Sequence, residues 1–285
     1  MRKAYAVLCL TTVAMMACRS AFSDNPAVVA LEWLPKYAHK KTLKEIEKTS
    51  ALVTMNCMGD ESELRKNLEQ IKAKPPALVI AFSDAIAKSV ASECSSTPLL
   101  AVMVDDPSCV MGIQRAAPVS LITSQPDAVL AWRVMREARA NIKTAGMLYT
   151  KGISVNEKLF GRLSEEAKRD GASLERVLVD AGFCRTDADF VSAVDNAIEK
   201  KHCEVLFLPD DPNGSRFGAT IFHAASAHGV PSVGTDATDG KGCVAALCVD
   251  YEKMAELVSS ISSALIKKSS DAPTVVEAPN KVTRR

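Results

Sequence analysis

Two kinds of polar group recur in this sequence where an apolar run gives way to a helical stretch. The first kind is neutral. Ser83 follows the apolar run 77–82, and Ser154 and Asn156 stand just after the run 144–149. A helix start presents backbone N–H groups with no partner inside the helix and a partial positive charge. Such a turn can hold a carboxylate, or the side chain can simply cap the helix. The second kind is acidic. Asp84 lies beside Ser83, Asp106 stands before Pro107 after the run 99–104, Asp210 and Asp211 follow the run 205–208, and Asp236 follows Gly234 and Thr235. A carboxylate at a strand end can accept from an ammonium or hydroxyl group of a ligand, or it can serve a local Asp-Pro turn. Trp33, closing the run 28–33, offers a flat face to a planar ligand or an edge to the core. Carboxylates at some turns and helix starts at others suit a zwitterion. The set Trp33, Ser83, Asp84, Asp106, Ser154, Asn156, Asp210, Asp211 and Asp236 therefore predicts binding of an amino acid or a small amide or amine relative.

Chemistry that would alter a ligand has no comparable support. The sequence contains no G-x-S-x-G, no H-E-x-x-H, no Walker A motif and no G-x-G-x-x-G after a strand. His202 reads as a helix end, His223 and His228 as a helix face, and no cysteine–histidine pair stands out as nucleophile and base. The nine cysteines include no C-x-x-C pair, and His39, His202, His223 and His228 are not at zinc-finger spacing. Asp210, Asp211 and Asn213 crowd one turn, but calcium needs roughly six to eight oxygens. No catalytic residue, metal or cofactor is expected. A net charge of +1 and the lack of a basic stripe with interleaved aromatics exclude a nucleic-acid partner.

The scaffold that must position these turns is legible as an alternation. Apolar runs at 28–33, 51–55, 77–82 and 99–104 are separated by helical patterns at 37–48, 62–72 and 84–93. Continuous apolar strands between helices of about three turns indicate a parallel sheet covered on both faces. The stretch 105–126 contains three prolines and no helical period, and reads as a passage to a second lobe. The rhythm then restarts, with strands at 144–149, 174–179, 205–208, 231–234 and 243–249. Helices are expected at 126–139, 154–170, 187–200, 215–228 and 251–268, and a strand-like piece at 274–277. The expectation is an α/β protein of two doubly wound, Rossmann-like lobes joined by a hinge. Lobe I takes 27–117 plus 246–285 and lobe II takes 118–245, with hinge stretches at 116–123 and 245–250. Ligands of such sheets bind at the carboxyl ends of strands, which here would face a cleft between the lobes.

The amino terminus has the layout of an export signal. Arg2 and Lys3 precede an uncharged run, 4–17, that is short for a membrane span. It closes Val13-Ala14-Met15-Met16-Ala17-Cys18, which resembles a lipobox. Residues 1–17 would be a signal peptide, Cys18 the lipidated residue and 18–26 a linker. Plain secretion, with cleavage near Ala21 or Ser23, is the alternative. Seven further cysteines leave at least one free thiol, and Cys243 with Cys248 could close a small loop.

From about residue 75 onward the order of motifs resembles the ABC-transporter substrate-binding proteins of the type I periplasmic-binding fold, in the branch that includes tryptophan- and tyrosine-binding members. The carriers are Val79-Ile80-Ala81-Phe82-Ser83-Asp84-Ala85, Thr97-Pro98-Leu99-Leu100-Ala101-Val102 running to Asp106-Pro107, and Gly146-Met147-Leu148-Tyr149 with Ser154-Val155-Asn156. Leu206-Phe207-Leu208-Pro209-Asp210-Asp211, Gly229-Val230-Pro231-Ser232-Val233-Gly234-Thr235-Asp236 and Val249-Asp250-Tyr251 complete the series. The chain departs from the family at Lys151-Gly152 and at Asp210-Asp211-Pro212-Asn213, where Asn or Thr is usual. The resemblance implies a monomeric solute-binding lipoprotein, periplasmic or on the cell surface, anchored to the membrane by its lipid and partnered by the permease of an ABC transporter. It also implies that Asp236 receives a ligand ammonium group. A ligand-sensing lipoprotein that signals to a membrane receptor is the alternative, with a hydrolase-type enzyme a more distant one.

Overall fold

The computed structural model describes residues 28–34, 37–48, 50–124, 126–180, 186–235, 241–268 and 274–284. The chain forms two compact units. One holds residues up to 123 together with 251–276, the other 124–250 together with 277–285.

The first unit begins with four β/α steps and a fifth strand: β1 (Val28–Glu32), α1 (Tyr37–Glu47), β2 (Leu52–Asn56), α2 (Glu61–Ala73), β3 (Leu78–Phe82), α3 (Asp84–Glu93), β4 (Leu99–Val104), the short α4 (Ser108–Met111) and β5 (Val119–Thr123). The second unit runs α5 (Ala128–Ala138), β6 (Thr144–Thr150), α6 (Ser154–Arg169), β7 (Ser173–Val179), α7 (Asp187–Asp195, continuing as a wider turn Asn196–Lys200), β8 (Val205–Phe207), α8 (Pro212–Ala227), β9 (Ser232–Thr235) and β10 (Ala245–Val249). The chain then returns to the first unit with α9 (Tyr251–Ile266) and β11 (Val275–Glu277), and ends in the second with β12 (Asn280–Arg284).

The first sheet has the order β11-β5-β4-β3-β1-β2, and β1 to β5 pair in parallel. The second has the order β12-β10-β9-β8-β6-β7, parallel except for antiparallel β12. Both are covered on two faces, which is why β1 and β3 are apolar and buried at nearly every position. In the first sheet Val29, Leu31, Val79 and Ala81 pack under Leu68, Ile71, Ile86 and Val90 of α2 and α3. The other face is covered by α1 and α9, which pack on one another. In the second sheet Met147, Phe207 and Val233 face Trp132, Met135 and Leu163, while Leu148 and Leu206 face Phe190, Ile221 and Phe222.

Several boundaries differ from the sequence expectation. The prolines around 105–126 hide β5, which pairs with β4 and belongs to the first unit, so the first crossing lies after Thr123 and not after residue 117. β10 pairs with β9 and so stays in the second unit, as does β12. The expected lobe I piece 246–285 therefore narrows to 251–276. Trp33 lies in the bend after β1, not in the strand. No disulfide is formed by Cys57, Cys94, Cys109, Cys203, Cys243 or Cys248, so the expected loop-closing Cys243–Cys248 bond is not made. The expected signal peptide, 1–17, and linker, 18–26, with Cys18, lie outside the described residues. No described helix is long and apolar enough to cross a membrane.

Candidate functional site

In each unit the carboxyl ends of the parallel strands carry most of the polar residues singled out above. In the first unit, Ser83 follows β3 directly. Its N–H still donates to Val102 O (3.2 Å), continuing the ladder, and its carbonyl accepts from Ala87 as α3 begins. Between these bonds the backbone turns through φ 88°, ψ 160°, and the Ser83 hydroxyl makes no capping bond. A non-glycine residue held there stores roughly 1–3 kcal/mol of strain.

Asp84 occupies the first position of α3 and reaches across to the end of β4. Its Oδ1 accepts from the N–H groups of Asp105 (3.0 Å) and Asp106 (3.3 Å). Burial pushes its carboxyl above the usual range, opposed by those backbone bonds. A bulge between Val102 and Val104, with Met103 at φ 58°, bends β4 toward this contact. Asp106 caps the turn that follows, its Oδ1 accepting from Ser108 N (3.1 Å) and Ser108 Oγ (2.7 Å). Trp33 is half-buried against the core beneath α2 and α3, and its carbonyl accepts from Gly59 N (2.9 Å). Behind it lies a pair that the sequence did not signal. Glu32 and His39 are 3 % and 5 % exposed and lie 2.7 Å apart, Oε1 to Nδ1.

In the second unit the hub is Asp211, 3 % exposed. Its carboxylate accepts from Thr150 N (2.9 Å) and Thr150 Oγ1 (2.8 Å) at the end of β6. It also accepts from Asn156 Nδ2 (3.2 Å) in α6 and from Asn213 N (2.8 Å) in the first turn of α8. Asn213 Nδ2 closes the ring by donating to Thr150 Oγ1 (2.8 Å). Asn156 is 0 % exposed and also donates to Asp210 O (3.4 Å). Three elements are thus fixed by one carboxylate. The two other residues expected here, Ser154 and Asp210, stay exposed at the surface of this knot. The residue capping α6 is Ile153, which offers no side-chain oxygen, so no side chain caps the helix start next to Ser154. Asp236 lies outside the described residues.

The model of the family described as ABC transporter substrate binding protein matches residues 36–276. This chain belongs to that family. Solved structures with the same fold agree. The ligand-free, open structure of a substrate-binding protein with adhesive properties from Clostridium difficile has a TM-score of 0.75 at 16 % identity, covering 91 % of this chain and 92 % of that one. An ABC domain in complex with L-Trp, from Streptococcus pneumonia, has 0.59 at 16 %, over 90 % and 92 %. An arabinose-binding protein from Geobacillus stearothermophilus has 0.66 at 14 %, over 92 % and 97 %. No curated protein sequence matches the chain. The fold is that of the type I periplasmic binding proteins.

For a substrate-binding protein the division of labour at these strand ends matters more than their count of polar groups. Asp84 and Asp211 spend their hydrogen bonds on the protein, as does the Asn156 amide nitrogen, whereas the buried Asn156 Oδ1 has no partner among the described residues. Among the described residues no group of histidines, cysteines and carboxylates is arranged to hold a metal. The residues that sequence reasoning missed, Glu32 and His39, are seven positions apart across a turn, and no spacing rule connects them.

Proposed function

We propose that this substrate-binding protein captures an amino acid, or a small amide or amine relative, and delivers it to the permease of an ABC importer. Capture takes place outside the cytoplasmic membrane, with the protein held there by a lipid on Cys18. The observation that carries the ligand class is the pairing of two kinds of group at strand carboxyl ends. Ser83 and Ser154 stand at helix starts that no side chain caps, which suits a carboxylate. Asp210 presents an exposed carboxyl, and Asp106 a half-buried one, which suits an ammonium group. Trp33 follows β1, the strand that pairs with β3 ahead of Ser83, and Asp236 is assigned to the ammonium group with Asp210. Asp84, Asp211 and Asn156 shape the site. The neighbour solved with L-Trp supports the class, whereas the arabinose-binding neighbour has the same fold.

Thermal unfolding against a panel of free amino acids, amides, amines and pentoses tests this reading. A ligand at a hundred times its Kd stabilises the folded state by about 2.7 kcal/mol, a readily measured rise in Tm. A rise with at least one amino acid or close relative is expected. A rise with pentoses alone, or with no member of the panel, overturns the ligand class. The lipid is tested separately by fractionating cells that express the protein and its Cys18→Ala variant. Only the parent is expected in the membrane fraction, and equal distribution of the two overturns the anchor.

A further inference from the structure

The Glu32–His39 pair sits at a point where packing alone does not call for charge. Val28 to Leu31, the rest of β1, are apolar and fully buried, and so is the facing end of β3. Burial pushes the Glu32 carboxyl above its usual range, with Lys40 opposing. A well-packed apolar pair of the same volume is often as stable as a buried ionisable one, so the pair is better explained by what it orients. His39 lies in the first turn of α1. Its Nδ1 is bonded to Glu32, the last residue of β1, and its ring stacks on Phe82, the last residue of β3, with centroids 4.2 Å apart and planes at 22°. The residues that follow those two strand ends are Trp33 and Ser83. On the opposite side, the turn after β1 is tied to the start of the β2–α2 turn by two backbone bonds, Cys57 N to Glu32 O (2.8 Å) and Gly59 N to Trp33 O (2.9 Å). The histidine supplies the matching tie toward α1 and β3.

We propose that Glu32 and His39 are positioning residues. Together they fix the turns that carry Trp33 and Ser83, and so set ligand affinity without touching the ligand. This inference rests on the proposed ligand site for the affinity part, but not for the placement of Trp33.

The test uses the full chain with Trp132→Phe. The sequence has two tryptophans, so Trp33 is then the single indole. Three variants are made in that background: His39→Ala, His39→Asn, and Glu32→Leu combined with His39→Phe. The Asn amide can stand where Nδ1 stands and restores the bond. The double variant replaces the pair by apolar groups that keep the fold.

Acrylamide quenching of Trp33 without ligand is expected to rise at least twofold in His39→Ala and in the double variant, and to return toward the parent in His39→Asn. Titration calorimetry with each of the free L-amino acids is expected to show binding at least tenfold weaker in the first two. The urea midpoint of the double variant is expected to equal or exceed that of the parent. If the double variant folds and both quenching and affinity stay within twofold of the parent, the proposal is overturned. If the parent binds no amino acid while quenching still follows the variants as stated, placement of Trp33 by the pair is upheld and only the ligand reading fails.

Discussion

Asp211 offers the sharpest test of how the second unit is built. Replacing it by Ala removes the acceptor for four donors at once. Two of them are deeply buried: the Thr150 N–H, on a residue 5 % exposed, and the Asn156 amide, 0 % exposed. Each would lose a partner that water cannot replace, at about 1–3 kcal/mol apiece. The bond to Asn213 N is the N-cap of α8, with Pro212 at the first helical position, and its loss costs about 1 kcal/mol more. The sum is about 3–7 kcal/mol, a large part of the roughly 5–15 kcal/mol that holds a domain together. Asp211→Asn keeps one acceptor oxygen but turns an NH2 toward two donors, so it should lose about half as much. Urea unfolding in a Trp33→Phe background reads this directly, because Trp132 then reports on the second unit alone. A loss under about 1 kcal/mol in Asp211→Ala would refute the hub. So would a variant of parental stability that no longer binds ligand, since Asp211 would then be a ligand contact.

Three further substitutions probe the scaffold. The guanidinium of half-buried Arg115 donates to the carbonyls of Val90, Ala91, Cys94 and Thr97 at the end of α3, so Arg115→Met should cost about 2–4 kcal/mol in urea unfolding, and Arg115→Lys should recover less than half of it. A Cβ on Gly146 would lie 2.8 Å from Leu206 Cδ2 and 3.0 Å from Cys203 Sγ, so Gly146→Ala should lower stability by about 1–3 kcal/mol through overpacking of β6 on β8. The Trp132 indole N–H bonds the Asp170 carboxyl at 2.6 Å and, with Arg136, holds it below the usual carboxylate range. A carboxyl depressed in the folded state adds stability that is present above its unfolded value near 3.8 and is lost as pH falls through its folded value. Trp132→Phe should therefore raise the Asp170 midpoint in an NMR titration and shrink that acid-labile contribution; an unchanged midpoint would show that Arg136 alone sets it.

The β/α alternation was legible because a strand buried on both faces must be a continuous apolar run, as in Leu78–Phe82 and Leu99–Val104. Two strands escaped for opposite physical reasons. β5 sits between prolines, and its buried Ser120 and Thr123 dilute the apolar run. β12, Asn280–Arg284, is a half-exposed edge strand whose pairing with β10 comes from backbone bonds, so composition carries no trace of it. The candidate site divides in the same way. Strand ends and helix starts could be located from the alternation, and they hold Ser83, Asp84, Ser154 and Asp210 as expected. Which of two adjacent aspartates turns inward could not be read from the alternation, although the Asp-Pro-Asn sequence does carry the signature of an N-cap at Asp211. The Glu32–His39 pair depends on α1 folding back over two strand ends, a tertiary contact with no local mark.

The order in which the chain visits its two units has a consequence for biogenesis. α9, whose Met254, Val258, Ile261 and Leu265 are buried, covers β3, β4 and α1 from the far end of the sequence. A nascent chain that has been made only as far as Thr123 therefore owns five strands of a sheet but has α1 alone to cover one apolar face. It stays that way while the whole of 124–250 is synthesised. The missing cover arrives only with α9, and neither unit can be obtained by cutting the gene at a single point.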